Sequence, residues 1–120
     1  MQVLLNTDPH IDGRQAMSDY LESVVTETLG HYGERITRVE AHVSDANSSA
    51  KANTDDIHCT LEARLVGLDP LVVKERAGTA HQAIHGAVRK LERALSSAIG
   101  KHDPRHRARH LDDEQDVADT

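Results

Sequence analysis

The chain has no tryptophan and no phenylalanine, and its only large rings are Tyr20 and Tyr32. Without an aromatic platform, reading of single-stranded bases by ring stacking is not expected. The core must be aliphatic, built from Leu, Val, Ile and Ala. There is one cysteine, Cys59, so no internal disulfide can form; its place in a strand-like run suits a small buried apolar residue. No apolar run approaches the ~20 residues that a spanning helix needs. The opening residues, MQVLLNTDPH, lack the basic stretch and long apolar segment of a secretory leader. A soluble, cytoplasmic protein is expected, with no membrane partner.

Positive charge is also scarce. Fourteen Lys/Arg face twenty Asp/Glu, a formal net charge of −6. Its distribution matters more than its sum. From residue 79 to 110 there are seven Lys/Arg and five His against two acids, Glu92 and Asp103. Residues 1–78 hold the other seven Lys/Arg against thirteen acids. The last ten residues, LDDEQDVADT, carry five acids and no base, so the chain without them is near neutral. An acidic chain that gathers its excess of positive charge on one segment points to an anionic partner for that segment.

That segment reads as an amphipathic helix. Ala80, Ile84, Ala87, Val88, Leu91, Leu95 and Ala98 recur at three- and four-residue spacing and fall in one stripe. Gln82, His85, Arg89, Arg93 and Ser96 lie opposite, with Lys90 on the flank. Lys101 and Arg105 continue the run, and Pro104 makes a continuous helix improbable beyond Gly100. His85, Arg89, Lys90, Arg93, Lys101 and Arg105 are the candidate phosphate contacts. An ordinary solvated helix mixes charge signs, whereas here Glu92 is the lone acid of the helix. Lys and Arg suffice for salt-dependent, sequence-independent binding of a phosphate backbone.

The rest of the chain alternates. Gln2–Asn6 is a short first strand. TDPHIDG, residues 7–13, is a turn, with Asp12 as candidate N-cap. Met17, Tyr20, Leu21, Val24, Val25 and Leu29 make a helix from Arg14, bracketed at its stop by Gly30 and Gly33. In residues 35–44 Val39, Ala41 and Val43 point one way, and Arg38, Glu40 and His42 the other. Residues 45–56 form a polar loop, a candidate hairpin connection. Ile57, Cys59, Leu61, Ala63 and Leu65 alternate with polar residues in the clearest strand. GLDP, residues 67–70, is a turn, and LVVKER, residues 71–76, a fourth strand suited to an edge. The order β-α-β-β-β-α predicts an α+β fold: a four-stranded, largely antiparallel sheet with two helices packed on one face. The expected organisation is one domain over residues 1–100 and a basic, then acidic, flexible tail over 101–120.

Other chemistry finds no support. His102, His106 and His110 repeat every four residues, and His81 pairs with His85. Pro104 breaks that register, and no carboxylate or thiol completes a ligand motif, so no metal site is expected. His58 and Cys59 are strand neighbours that point to opposite faces and cannot act as a nucleophile pair. No phosphate loop, serine nucleophile motif or paired carboxylate site is visible. The expectation is a non-enzyme with no cofactor and no small-molecule substrate.

The stretches RITRVEAHVSD, DIHCTLEARLVGLDPLVV and AIHGAVRKLERAL resemble the ribosome hibernation-promoting and ribosome-associated inhibitor family, some of whose members are called sigma-factor modulation proteins. The resemblance covers about residues 3–100. Its most specific pieces are the helix pattern AI-xx-A-xx-KLER-x-L and the Arg35-Ile36-xx-Val39 entry to the second strand. It implies a β-α-β-β-β-α domain similar to double-stranded-RNA-binding domains (dsRBD-like). It implies binding to ribosomal RNA of the small subunit, in the channel between head and body where tRNA and mRNA sit. Translation would thereby be blocked in starvation or stationary phase. Lys90 and Arg93 match the family's phosphate-contacting helix positions. The net acidity departs from the family pattern. The dimerisation domain of the long forms has no counterpart, so ribosome pairing through a second domain is not expected. A second reading is a protein-binding adaptor using the exposed sheet face, with Arg38, His42 and Arg64 as its contacts.

Overall fold

The computed structural model describes residues 1–9, 11–45 and 57–102. The sheet is built by strands β1 (Gln2–Thr7), β2 (Ile36–Asp45), β3 (Ile57–Leu65) and β4 (Leu68–Ala77) in that spatial order. Helix α1 (Arg14–Leu29) links β1 to β2, and α2 (Ala80–His102) follows β4. The order of elements is as expected. The sheet is mixed, because β1 runs parallel to β2 while the other two pairings are antiparallel. A helical crossover returns the chain to the same end of the sheet, and a parallel pair is what that connection permits.

Alternation sets which face is covered. Val39, Ala41 and Val43 of β2 and Cys59, Leu61 and Ala63 of β3 are fully buried. They meet Leu21, Val25 and Leu29 of α1 and Ile84, Val88, Leu91 and Leu95 of α2 in one aliphatic cluster. Both helices therefore lie on one face, and no charged residue is buried among the described residues. A register shift between Ile36 and Arg38 lets Ile36 point inward together with Val39, three residues on. Ala83 joins the buried stripe of α2, while Ala80 and Ala98 are only half-buried.

Two local readings are corrected, the α1 N-cap and the β3–β4 turn, and the stop of α1 is refined. The N-cap of α1 is Gly13, with φ of 78° and no side-chain cap, rather than Asp12. The chain enters the helix through a left-handed residue, which favours glycine. Gly30 and Gly33 bracket the stop of α1 as expected; both stay right-handed, and the helix ends by tightening into a three-residue 3-10 turn, Gly30–Tyr32. The β3–β4 connection is shorter than GLDP: Val66 and Gly67, at φ of 77°, make the turn, and Pro70 lies within β4. An edge strand tolerates that proline because one side of its ladder is open. At the other end of β4, Thr79 caps α2 by accepting the Gln82 N–H at 3.1 Å. The helix runs through Gly100 to His102. The 46–56 loop, Pro104, Arg105, His106, His110 and the acidic tail lie outside the described residues.

Cys59 is fully buried, and burial, then the nearby Glu75 charge, push its thiol up to about 12. The fold holds the thiol proton, so this group withdraws stability only as pH climbs from the ordinary thiol range toward about 12. Native protein at pH 8 is therefore expected to react with iodoacetamide only through opening of the fold. The alkylation rate should rise several-fold or more at denaturant concentrations that begin to unfold it. A native rate matching that of the denatured chain would show Cys59 to be accessible.

Candidate nucleic-acid interface

Helix α2 presents His85, Arg89, Lys90 and Arg93 on its exposed side, as its 3.6-residue period requires once Ile84, Val88, Leu91 and Leu95 are buried. The four are not electrostatically alike. Arg93 makes no ion pair among the described residues. Arg89 lies 3.6 Å from Glu92 Oε1, one turn along the helix, in an exposed and weak pair. Lys90 is tied down. Its Nζ donates to the Lys74 carbonyl of β4 at 2.8 Å and stands 2.8 Å from Glu75 Oε1. Lys101 belongs to the last turn of α2, and Arg105 lies outside the described residues.

Glu75 interrupts the apolar alternation of β4. Leu71, Val73 and Ala77 point toward the helices, and a carboxylate takes the inward position between the last two. It is accommodated because α2 has Gly86 there. A Cβ at Gly86 would meet Glu75 Oε2 at 2.6 Å and its Cγ and Cδ at 2.9 Å. A mid-helix glycine costs about 0.5–1 kcal/mol relative to alanine. Here it opens the space in which Glu75 reaches Lys90. The same alternation sends Lys74 and Arg76 to the outer face of the sheet, a placement that the sequence reading left unassigned.

The neighbouring helix has the opposite character. The exposed side of α1 carries Asp19, Glu22 and Glu27, with Arg14 at its start. The two helices touch at Tyr20 and His81, whose rings lie 4.1 Å apart. The helix layer is thus acidic along α1 and basic along α2. A polyanion can approach α2 from the β4 side and is repelled from the α1 side. No group of His, Cys, Asp or Glu able to hold a metal is present among the described residues, and none of their helices is long and apolar enough to cross a membrane.

Comparison with known proteins adds an independent line. The family model for sigma 54 modulation protein / S30EA ribosomal protein matches residues 6–103. No curated protein matches the chain. Among solved structures, the fold is similar to the N-terminal domain of Protein Y from Thermus thermophilus, with a TM-score of 0.62 and 20% identity, over 79% of this chain and 96% of that one. It is also similar to a ribosomal subunit interface protein from Coxiella burnetii, with a TM-score of 0.59 and 11% identity, over 83% of this chain and 99% of that one. At these identities the structural likeness is one of fold.

The pinned state of Lys90 can be measured directly. In brief acetylation of the native protein, followed by mass spectrometry, Lys90 is expected to react several-fold more slowly than exposed Lys74. Gly86→Ala should push Glu75 away, release Lys90 and bring the two rates together. Equal rates in the parent would mean that the Glu75 contact does not hold Lys90 in solution.

Proposed function

Because the chain belongs to the sigma 54 modulation protein / S30EA ribosomal protein family, a family of non-catalytic ribosome-binding modulators, we propose that it is a translation inhibitor of the hibernation type that binds ribosomal RNA of the small subunit. It occupies the channel where tRNA and mRNA sit and does so in starvation or stationary phase. This reading places the protein in the cytoplasm, on the ribosome. His85, Arg89, Lys90, Arg93, Lys101 and Arg105 form the contact set, with Arg93 and Arg89 foremost.

The observation that carries the reading is the exposed, acid-poor side of α2. Arg93 meets no carboxylate among the described residues, and Arg89 has there only a loose partner at 3.6 Å that a phosphate can displace. Arginine suits this work because its fork donates two parallel hydrogen bonds to a phosphate. Lys90 is a weaker contributor in the free protein, since a phosphate must compete with Glu75. No cofactor enters, because neutralising phosphates needs only fixed cations and the release of counterions.

Sedimentation of stationary-phase lysate should find the protein with ribosomal particles and release it at high salt. Arg89→Ala with Arg93→Ala removes charge but little apolar burial, so the variant is expected to fold. Its binding to purified small subunits should weaken, and the slope of log affinity against log salt should fall by roughly one unit per lost contact. A folded double variant that binds like the parent at every salt concentration would remove α2 as the contact surface. Deleting residues 111–120 takes away five acids, which would compete with phosphate for the same cations. Binding is expected to stay level or tighten, and a marked loss would assign those acids a contact of their own.

A further inference from the structure

The outer face of the sheet, opposite the helices, has charges sorted along the strands. At one end Arg38 and Arg64 face each other across β2 and β3, and the next row places Glu40 opposite Glu62. These four compensate one another within their strands, Arg38 to Glu40 at 3.8 Å and Arg64 to Glu62 at 3.7 Å. Asn6 also donates to Glu40 at 2.8 Å. At the other end two successive rows read His42–Thr60–Lys74 and Ser44–His58–Arg76. Lys74 and Arg76 are exposed and meet no carboxylate among the described residues. Asp8 lies on the far side of the first row, 3.8 Å from His42. His58 Nε2 is buried and has no hydrogen-bond partner among the described residues.

We infer that Lys74 and Arg76, with Thr60 and His58 beside them, form a second binding surface for an RNA phosphate backbone. The protein then grips RNA on both sides of the β4 edge, with α2 on one face of the sheet and this patch on the other. The inference rests on the reading of the protein as a binder of ribosomal RNA.

Three observations select phosphate. Lys74 and Arg76 are two residues apart on one strand, about 7 Å, so each can take a separate phosphate. A threonine hydroxyl next to the cations supplies the kind of neutral donor that phosphate contacts commonly use. The face has no Trp, Tyr or Phe on which a base could stack; its only rings among the described residues are the imidazoles of His42 and His58.

A protein partner fits less well. Protein interfaces concentrate their energy in a contiguous apolar centre with aromatic anchors. Here the apolar side chains are Leu4 and Val72, at opposite ends of the row Leu4–Glu40–Glu62–Val72, with two carboxylates between them.

The placement also agrees with the charge of the helix layer. Asp19, Glu22 and Glu27 oppose an RNA strand on the α1 side, so the cationic surface of α2 can extend only toward β4. There Lys90 of α2 holds the carbonyl of Lys74 itself and is matched by Glu75 in the seam, so the two cationic surfaces flank the β4 edge.

The test uses the full chain and purified small ribosomal subunits over a salt series. It compares the parent, Lys74→Ala with Arg76→Ala, Arg89→Ala with Arg93→Ala, all four together, and a control pair, Arg14→Ala with Arg35→Ala. The control removes two exposed cations that belong to neither set, one at the start of α1 and one just before β2. Each of the first two pairs is expected to lower the log–log salt slope by roughly two units, additively, with the control unchanged. Lys74→Gln with Arg76→Gln should repeat the sheet result with longer side chains in place, and a thermal melt of each variant verifies folding. If the helix pair lowers the slope and the sheet pair does not, the inference fails while the proposed function stands. If affinity falls on changing the sheet pair with the slope intact, the face holds a protein and the inference is overturned. A control that lowers the slope as much as the sheet pair would reduce the effect to long-range field and overturn it too. A parent that does not bind the subunit removes the proposed function and this inference together.

Discussion

The structure depends on one-sided burial in the two central strands. In the middle of β2 and β3 every second side chain is aliphatic or small, and Val39, Ala41, Val43, Cys59, Leu61 and Ala63 are withdrawn from water completely. Burying a Val or Leu side chain stabilises by about 1.5–3 kcal/mol, so a strand with several on one side cannot leave that side open. With no phenylalanine or tryptophan to fill volume, the covering elements must come close and interdigitate. Small residues supply that approach: Ala41 and Ala63 on the sheet, Ala83 and Ala87 on α2. Two helices on one face and an open face on the other follow from this requirement.

Closeness between α2 and β4 then decides what the charges can do. Gly86 lets the Glu75 carboxylate reach into the seam, and Glu75 draws Lys90 down onto the strand. One acid and one base of the seam are thereby matched, and the cations beyond it stay available. Arg93 on the helix and Lys74 and Arg76 on the outer sheet stand clear of carboxylates among the described residues. The pair itself is partly exposed, so its contribution to stability is modest. Its larger effect is positional, because it fixes the helix flank to the strand edge.

Much of this was legible in the residues. The alternation through Val39, Ala41 and Val43, and through Cys59, Leu61 and Ala63, is strict enough to assign both strands and their buried face. The three- and four-residue spacing of Ile84, Val88, Leu91 and Leu95 likewise assigned Arg89 and Arg93 to solvent. What was not legible depended on partners distant in the chain or on backbone angles. The parallel pairing of β1 is settled by the crossover through α1. Gly13 takes the cap from Asp12 because the entry needs a left-handed residue. β4 blurred because Glu75 occupies an inward position that only Gly86, eleven residues on, makes habitable. The same break in the alternation hid Lys74 and Arg76 as a pair on one face. The attachment of Lys90 could not be foreseen, since a helix wheel records its exposure and nothing of what it touches.

The apparent conflict between an acidic chain and the polyanionic partner proposed for it resolves on the scale of screening. At physiological ionic strength the Debye length is about 8 Å, and packed helices lie about 8–10 Å apart. An anion held against α2 is therefore governed by cations within a few ångströms and feels the α1 carboxylates only in part. Net charge sets long-range steering, which favours neither capture nor tight retention here; contact charge sets the affinity once the surfaces meet. Acids confined to α1 cost little at the point of contact and act mainly on orientation, since they disfavour every pose that brings α1 to the phosphates. On the proposed function, a charge-sorted acidic protein would gain selectivity of pose, binding through its α2 and β4 side, where a uniformly basic one would bind RNA from any direction.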